Sequence, residues 1–488
     1  MPEKFFYASW DTGERVEWDG YGPKPASGGD DTIRVVYPRL TKEKLLAVFA
    51  DPELPEGLWR YFDFLPLEHR ANVVSYGEGN VPIERWQFLE AFARDLGNVD
   101  CRVYVHRHDL HPATGSFKDL AGGLVASAMK ECGVKGYVVA STGNTAAAMS
   151  RYLAAGDCTL YAFIPDDATP YKEADIACFG QNVFRVEGDY AAAKEMAAAF
   201  AAAHGHVPAG GTFDPFRIEA KRTMAFDWYR RLGELPTVYI QAVSGGTGPV
   251  AIAKAADEMI RLGLVHAPPR MLLVQPSECD PMAKSWAKAK RDGFPRAWNL
   301  DYQKIEHPVT EIPTLATGDP TAYPKLAPIV RKTGGEIFAF PEALAPDVAR
   351  VVAFEAGARI GSAAAVGIGG FIEAVKRRLV RNGDVVMVTA GDGIQRDPDF
   401  MHRIMGESHR VREVSECTGV AREAFREVVW RPIVDYVNDR SESRVFSGED
   451  LRKAALTPQA AAPAAGTEPI HAGTGRAKRV CRSPEVGV

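Results

Sequence analysis

From about residue 76 to residue 400 the chain alternates between two patterns. Uninterrupted apolar runs at 137–140, 160–164, 238–240, 272–274 and 385–388 have the form of strands buried on both faces. Ala-rich stretches at 145–155, 190–204 and 248–262 lie between them and read as helices. Strands alternating with helices predict an α/β fold with parallel sheets. Residues 1–75 are aromatic and charged with Pro/Gly punctuation, and are expected to form an N-terminal extension that packs onto the body. Residues 401–455 read as helical with a mixed-charge surface. Residues 456–488 are rich in Ala, Pro and Gly and are expected to be disordered.

In α/β folds ligands collect at the carboxyl ends of strands, where glycine-rich turns lead into helices. Three turns have that form: 141–145 (STGNT), 244–248 (SGGTG) and 390–393 (AGDG). Short hydroxyls and backbone N–H groups at a helix N-terminus suit a carboxylate or phosphate, and glycines let the backbone approach an anion closely. An unusual lysine precedes them. In 111–119 (HPATGSFKD), Lys118 opens a helical stretch, 120–130, among small residues and an aromatic. A positive charge at a helix N-terminus opposes the macrodipole, an environment that lowers an amine's pKa and suits a Schiff-base lysine.

Composition narrows the classes. The 488 residues are 46% hydrophobic and 25% charged, an ordinary globular balance with room for two or three domains. A net charge of -5 gives no electrostatic case for nucleic acid or an acidic membrane. No apolar run approaches the roughly 18 residues that a membrane span needs. The N-terminus lacks the basic-then-apolar layout of a secretory signal. The seven cysteines are scattered, with no CxxC or clustered Cys/His spacing, so no metal site is expected; mostly buried, reduced thiols and a cytoplasmic location are. The histidines look dispersed, and none pairs with a serine or cysteine nucleophile.

With those segments in place, the sequence resembles threonine synthases and related fold-type-II pyridoxal-phosphate (PLP) enzymes of the tryptophan synthase β superfamily. The lysine segment at 113–119 is similar to their PTGSFKD, and 141–145 to their asparagine loop. The likeness continues through 76–82 (YGEGNVP), 164–165, 214–219 (DPFRIE), 313–318 (PTLATG) and 361–365 (GSAAA), all in the family's order. The resemblance implies PLP as cofactor, joined to Lys118, which would also shuttle protons. It implies that Asn144 meets the cofactor's phenolic oxygen, that Ser244, Gly245, Gly246, Thr247 and Gly248 cradle its phosphate, and that Thr389 faces its pyridine nitrogen. Ser141, Thr142 and Thr145 would grip the substrate carboxylate, with Asp214 and Arg217 at a substrate phosphate. The implied architecture is two parallel-sheet domains, a large one (76–120 and 236–400) and a smaller one (121–235) inserted in it, with the cofactor in the cleft and a homodimer as the usual assembly.

The implied reaction is loss of phosphate from O-phosphohomoserine and addition of water at Cβ to give threonine. Three departures keep alternatives open. Asp214 stands where threonine synthases have asparagine, and a carboxylate beside a phosphate is repulsive unless paired, for example with Arg217 or Lys221. The 244–248 turn and its surroundings look closer to cysteate synthases, which replace the phosphate of phosphoserine with sulfite. Thr389 lies one residue out of register with the family's T-G-H-G. A serine/threonine ammonia-lyase and a PLP-binding sensor without catalysis are the remaining readings.

Overall fold

The structure, a computed structural model, describes residues 3–18, 21, 32–141, 143–166, 168–404, 410–419 and 421–439. Thr142, residues 440–455 and the 456–488 tail lie outside the described residues.

The strands in chain order are β1 (Phe6–Ser9), β2 (Arg15–Val16), β3 (Ile33–Val36), β4 (Ile83–Arg85), β5 (Arg102–His106), β6 (Gly136–Ala140), β7 (Thr159–Pro165), β8 (Asn182–Val186), β9 (Val207–Pro208), β10 (Val238–Ala242), β11 (Arg270–Pro276), β12 (Glu336–Phe340) and β13 (Val385–Thr389). Among the described residues they form three sheets, ordered β12-β11-β10-β13-β5-β4, β8-β7-β6-β9 and β2-β1-β3. The expected α/β class is observed, and every strand pair in the four-stranded sheet is parallel. The apolar runs became central strands because helices cover both faces and only side chains without polar atoms fit there.

Two features depart from a purely parallel plan. Strand β4 runs antiparallel to β5 at the edge of the six-stranded sheet. The N-terminal segment forms a small antiparallel sheet of its own. That segment does pack onto the body: Tyr37 Oη donates to Glu219 Oε2 at 2.9 Å, and Arg222 Nη2 donates to the Phe64 carbonyl. Tyr7, Trp18 and Tyr21 gather around Phe216, Tyr21 stacking on it with centroids 4.6 Å apart.

Of the stretch 401–455 read as helical, residues 410–419 hold only the short 3-10 turn Val414–Glu416, and the α-helices there are Pro398–Ile404 and Arg422–Asn438. The second docks through Val429 and Ile433, and Trp430 Nε1 donates to Glu355 Oε1 at 2.8 Å. The cysteine expectation needs correction. Of the six described cysteines, Cys132, Cys178 and Cys417 are exposed and only Cys101, Cys158 and Cys279 are buried. Among the described residues no helix is long and apolar enough to cross a membrane.

Candidate active site

Lys118 is the first residue of the helix Lys118–Glu131. The turn before it is fixed by Asp119, whose carboxylate accepts from the N–H groups of Ala113 and Thr114 at 3.1 and 2.9 Å and from the Thr114 hydroxyl at 2.5 Å. The same turn is tied to the loop after β13: Phe117 N donates to Gly391 O at 3.0 Å, and Gly393 N to Gly115 O at 2.9 Å. The turn that carries Lys118 is thus held by backbone pairing to a second loop. Its ammonium lies 4.3 Å from the Phe117 ring centroid and makes no hydrogen bond or ion pair among the described residues.

Burial, then the nearby Arg217 charge, pushes the Lys118 amine down to about 8, with Asp392 opposing. A lowered lysine pKa means that the neutral, nucleophilic form is reached at lower pH. Acetic-anhydride labelling of Lys118 in cofactor-free protein, followed by mass spectrometry, is therefore expected to reach half its plateau near pH 8. Labelling still climbing steeply through pH 10, as for an ordinary lysine near 10.4, would contradict this environment.

Asn144 opens the helix Asn144–Ala155, which follows β6 of the other sheet. Its amide is held at both ends: Nδ2 donates to Asp392 Oδ2 at 3.2 Å, and Oδ1 accepts from Arg396 Nε at 2.9 Å. Asp392 is the hub that sequence reading missed. It also accepts from Ala364 N at 2.9 Å, and burial raises its carboxyl to about 6. The signal was visible as an acid between two glycines at the end of a strand, but the resemblance assigns that turn only a hydroxyl. Ser141 lies at the end of β6 and its Oγ accepts from Gly143 N at 3.3 Å; Thr145 sits in the first turn of the helix. Thr314, named earlier only as part of a shared segment, has its buried Oγ1 unpartnered, and its Cγ2 comes within 3.8 Å of a Cβ built on Gly143.

The turn 244–248 joins β10 to the helix Thr247–Arg261, which has no side-chain cap. No side chain therefore takes up its first N–H groups, and such a helix N-terminus suits a phosphate. Gly246 has φ +90°, and a Cβ there would lie 2.4 Å from Leu326 Cδ2, so only glycine fits. Thr212 Oγ1 donates to Gly245 O at 3.1 Å, joining this turn to the segment before Asp214. Thr389 ends β13 with its hydroxyl buried close to that of Tyr239. No hydrogen bond links it to Lys118 or Asn144, although Gly391 lies between Thr389 and Phe117.

Asp214 caps the helix Pro215–Leu232, its Oδ1 accepting from Arg217 N at 3.1 Å. That accounts for the acid in place of asparagine: a carboxylate is at least as good an N-cap and faces the positive end of the dipole. Its other oxygen lies 3.9 Å from Arg217 Nε. The suggested pairing with Lys221 is not observed. Lys221, 1% exposed, reaches only the Arg217 carbonyl at 3.4 Å and the Phe117 ring at 5.4 Å. Burial and the charges of Lys118 and Arg217 hold its amine well below the ordinary lysine value. The histidines are less dispersed than the sequence suggests: His106, His108 and His111 stack in a buried row, with His108 Nδ1 and His111 Nε2 2.9 Å apart.

The sequence profile of pyridoxal-phosphate-dependent enzymes matches residues 74–391. The chain belongs to that family. PLP is the cofactor of this group, and the half-buried lysine, the uncapped glycine turn and the buried hydroxyl of Thr389 fit such a molecule in chemistry. Among relatives, the threonine synthase of Methanocaldococcus jannaschii is 26% identical over 358 residues, 73% of this chain and 84% of its own. The cysteate synthase of Methanothrix thermoacetophila is 25% identical over 358 residues, 71% of this chain and 83% of its own. The solved diaminopropionate ammonia lyase of Escherichia coli superposes with a TM-score of 0.55 at 13% identity, covering 68% of this PLP enzyme and 88% of the lyase, a likeness of fold.

Proposed function

We propose that this PLP enzyme eliminates phosphate from a phosphorylated amino acid, with O-phosphohomoserine as substrate and threonine as product. One observation carries the reading: Lys118, Arg217 and Lys221 bring three buried or half-buried basic groups together, and among the described residues Asp214 is the one carboxylate within ion-pair distance of any of them. Buried charge without a partner is expensive, so such a cluster is built for an anion that arrives with the substrate. The name of one relative, threonine synthase, supports threonine as the product.

The cofactor, when bound, supplies the electron sink for carbanions next to the amino group. Around it, Lys118 would hold the cofactor, and the turn 244–248 its phosphate, while Asn144 and Thr389 would meet its ring. Ser141, Thr142 and Thr145, with the N-terminus of Asn144–Ala155, would orient the substrate carboxylate. Arg217 and Lys221 hold the leaving phosphate and neutralise the charge it gains as its bond to carbon breaks. The Lys118 amine takes the Cα proton and returns protons along the side chain, a role suited to an amine with a pKa near neutrality. A small sheet of residues 121–235 closing on a large one would keep water out until it is needed at Cβ.

The sequence of the 244–248 turn favours a second reading, β-replacement on phosphoserine by sulfite. Phosphate release from each phosphorylated amino acid, with and without sulfite, separates the two. Release from O-phosphohomoserine alone, with threonine appearing, is expected. Release from O-phosphoserine only when sulfite is present would transfer the protein to the replacement reaction, and release from neither would remove both.

A further inference from the structure

The N-terminal segment lies ahead of the family match at 74–391, yet one of its side chains reaches the cationic cluster. Tyr21 stacks on Phe216 with an interplanar angle of 16°, and Phe216 is the residue between the helix's first position and Arg217. Tyr21 is 8% exposed, and its hydroxyl has no hydrogen-bond partner among the described residues. Nor does Arg217 Nε, also buried. The charges of Asp214 and Arg217 and the phenol of Tyr137 all act on the Tyr21 hydroxyl, which burial above all keeps protonated, as a donor.

Buried polar groups are rarely left unpaired, and two donors without a hydrogen-bond partner, one acting on the other through its charge, mark a place where an acceptor is missing. Tyr137 adds a third donor. Its hydroxyl oxygen accepts from Arg217 Nη2 at 2.9 Å, which leaves its own proton free to donate. Lys221 adds a fourth, with N–H groups in excess of its single carbonyl partner. A tetrahedral oxyanion spreads its lone pairs over several oxygens in three dimensions and can meet all of them at once, whereas a hydroxyl has too few and a carboxylate confines its roughly four to one plane.

We infer that Tyr21, carried in by the N-terminal segment, binds the oxyanion group of the substrate together with Tyr137, Arg217 and Lys221. The inference rests on the reading of that cluster as a phosphate site, and adds a specificity-determining residue from outside the shared fold. A substrate that carries an oxyanion on its side chain gains from Tyr21 and one with a neutral side chain does not, so the residue selects against unphosphorylated serine or homoserine.

The test uses PLP-loaded protein and inorganic phosphate as the probe, with binding measured by equilibrium dialysis and by thermal unfolding. Wild type is expected to bind phosphate and to be stabilised by it. Tyr21→Phe keeps the stacked ring and loses only the hydroxyl. Its phosphate dissociation constant is expected to rise about tenfold or more, as for loss of a hydrogen bond to a charged group. Its unfolding midpoint without phosphate is expected not to fall, because the hydroxyl has no partner to lose. Lys221→Met is expected to weaken phosphate as well. Unchanged binding in Tyr21→Phe with weakened binding in Lys221→Met would overturn the role of Tyr21 and leave the phosphate site standing. Binding lost in Tyr21→Phe but untouched in Lys221→Met would put the phosphate elsewhere and overturn the shared site. No phosphate binding by wild type would overturn both.

Discussion

Lys118→Ala is expected to lower turnover about 10³-fold or more, the scale of losing a nucleophile that is also the general acid–base group. Its fold should survive. The Lys118 ammonium has a ring contact at 4.3 Å and no hydrogen bond or ion pair among the described residues, so truncation strands no partner. Chemical unfolding of the variant should lie within about 1 kcal/mol of wild type, as for changes away from buried networks. Lys221 cannot take over, although it faces the same ring from 5.4 Å: it projects from the helix Pro215–Leu232, with Arg217 beside it and its amine already bonded to a carbonyl. Phosphate release within tenfold of wild type in Lys118→Ala would sink the assignment, and the paired unfolding measurement distinguishes a lost reaction from a lost fold.

Arg222→Met is expected to destabilise the protein by about 3–5 kcal/mol, with its effect on activity arising only through folding. Arg222 is fully buried between two acids, its Nε 2.9 Å from Glu219 Oε2 and its Nη1 2.5 Å from Glu258 Oε2. Its remaining amine donates to the Phe64 carbonyl, and its guanidinium lies 4.3 Å from the Tyr37 ring. Burial pushes the Glu258 carboxyl up, and the Arg222 and Lys254 charges more than reverse that, leaving it below the ordinary range. Methionine fills the volume but leaves Lys254 alone to face two buried carboxylates. Adding Glu258→Gln should recover part of the loss, with a coupling of about 1–3 kcal/mol, because one stranded charge is removed. Denaturant unfolding of the single and double variants measures this; a single-variant cost below about 1 kcal/mol would mean that the acids are supported some other way.

The central strands were legible because a strand covered on both faces has to be apolar throughout, and runs such as 137–140 and 385–388 have no helical period to confuse them. The short pieces were not. Strand β4 is three residues long with exposed positions, and β1 to β3 carry too few residues for alternation to stand out. At the site, Lys118, Asn144 and the 244–248 turn could be found because each combines a rare residue pattern with a strand-to-helix junction. Asp392 showed only as an acid between two glycines and Arg396 not at all, since the importance of both lies in closing on Asn144 from more than 240 positions away. Asp214 was seen as an oddity beside a phosphate, and only the backbone N–H of Arg217 reveals it as a helix cap. The row of three histidines was spaced openly at 106, 108 and 111, but their side chains meet through a bend after β5 that no periodicity announces.

The contacts of the N-terminal sheet also carry a consequence for how the chain is made. Tyr37 finds its acceptor 182 positions later, at Glu219, and the Phe64 carbonyl finds its donor 158 positions later, at Arg222. At ribosomal speeds of about 5–20 residues per second, the first part of the protein waits roughly ten seconds or more for the helix that completes it. Throughout that interval Tyr7, Trp18 and Tyr21 have no Phe216 to close around. The opening segment is therefore the part of the nascent chain with the greatest need of a chaperone, and among the last to reach its final place.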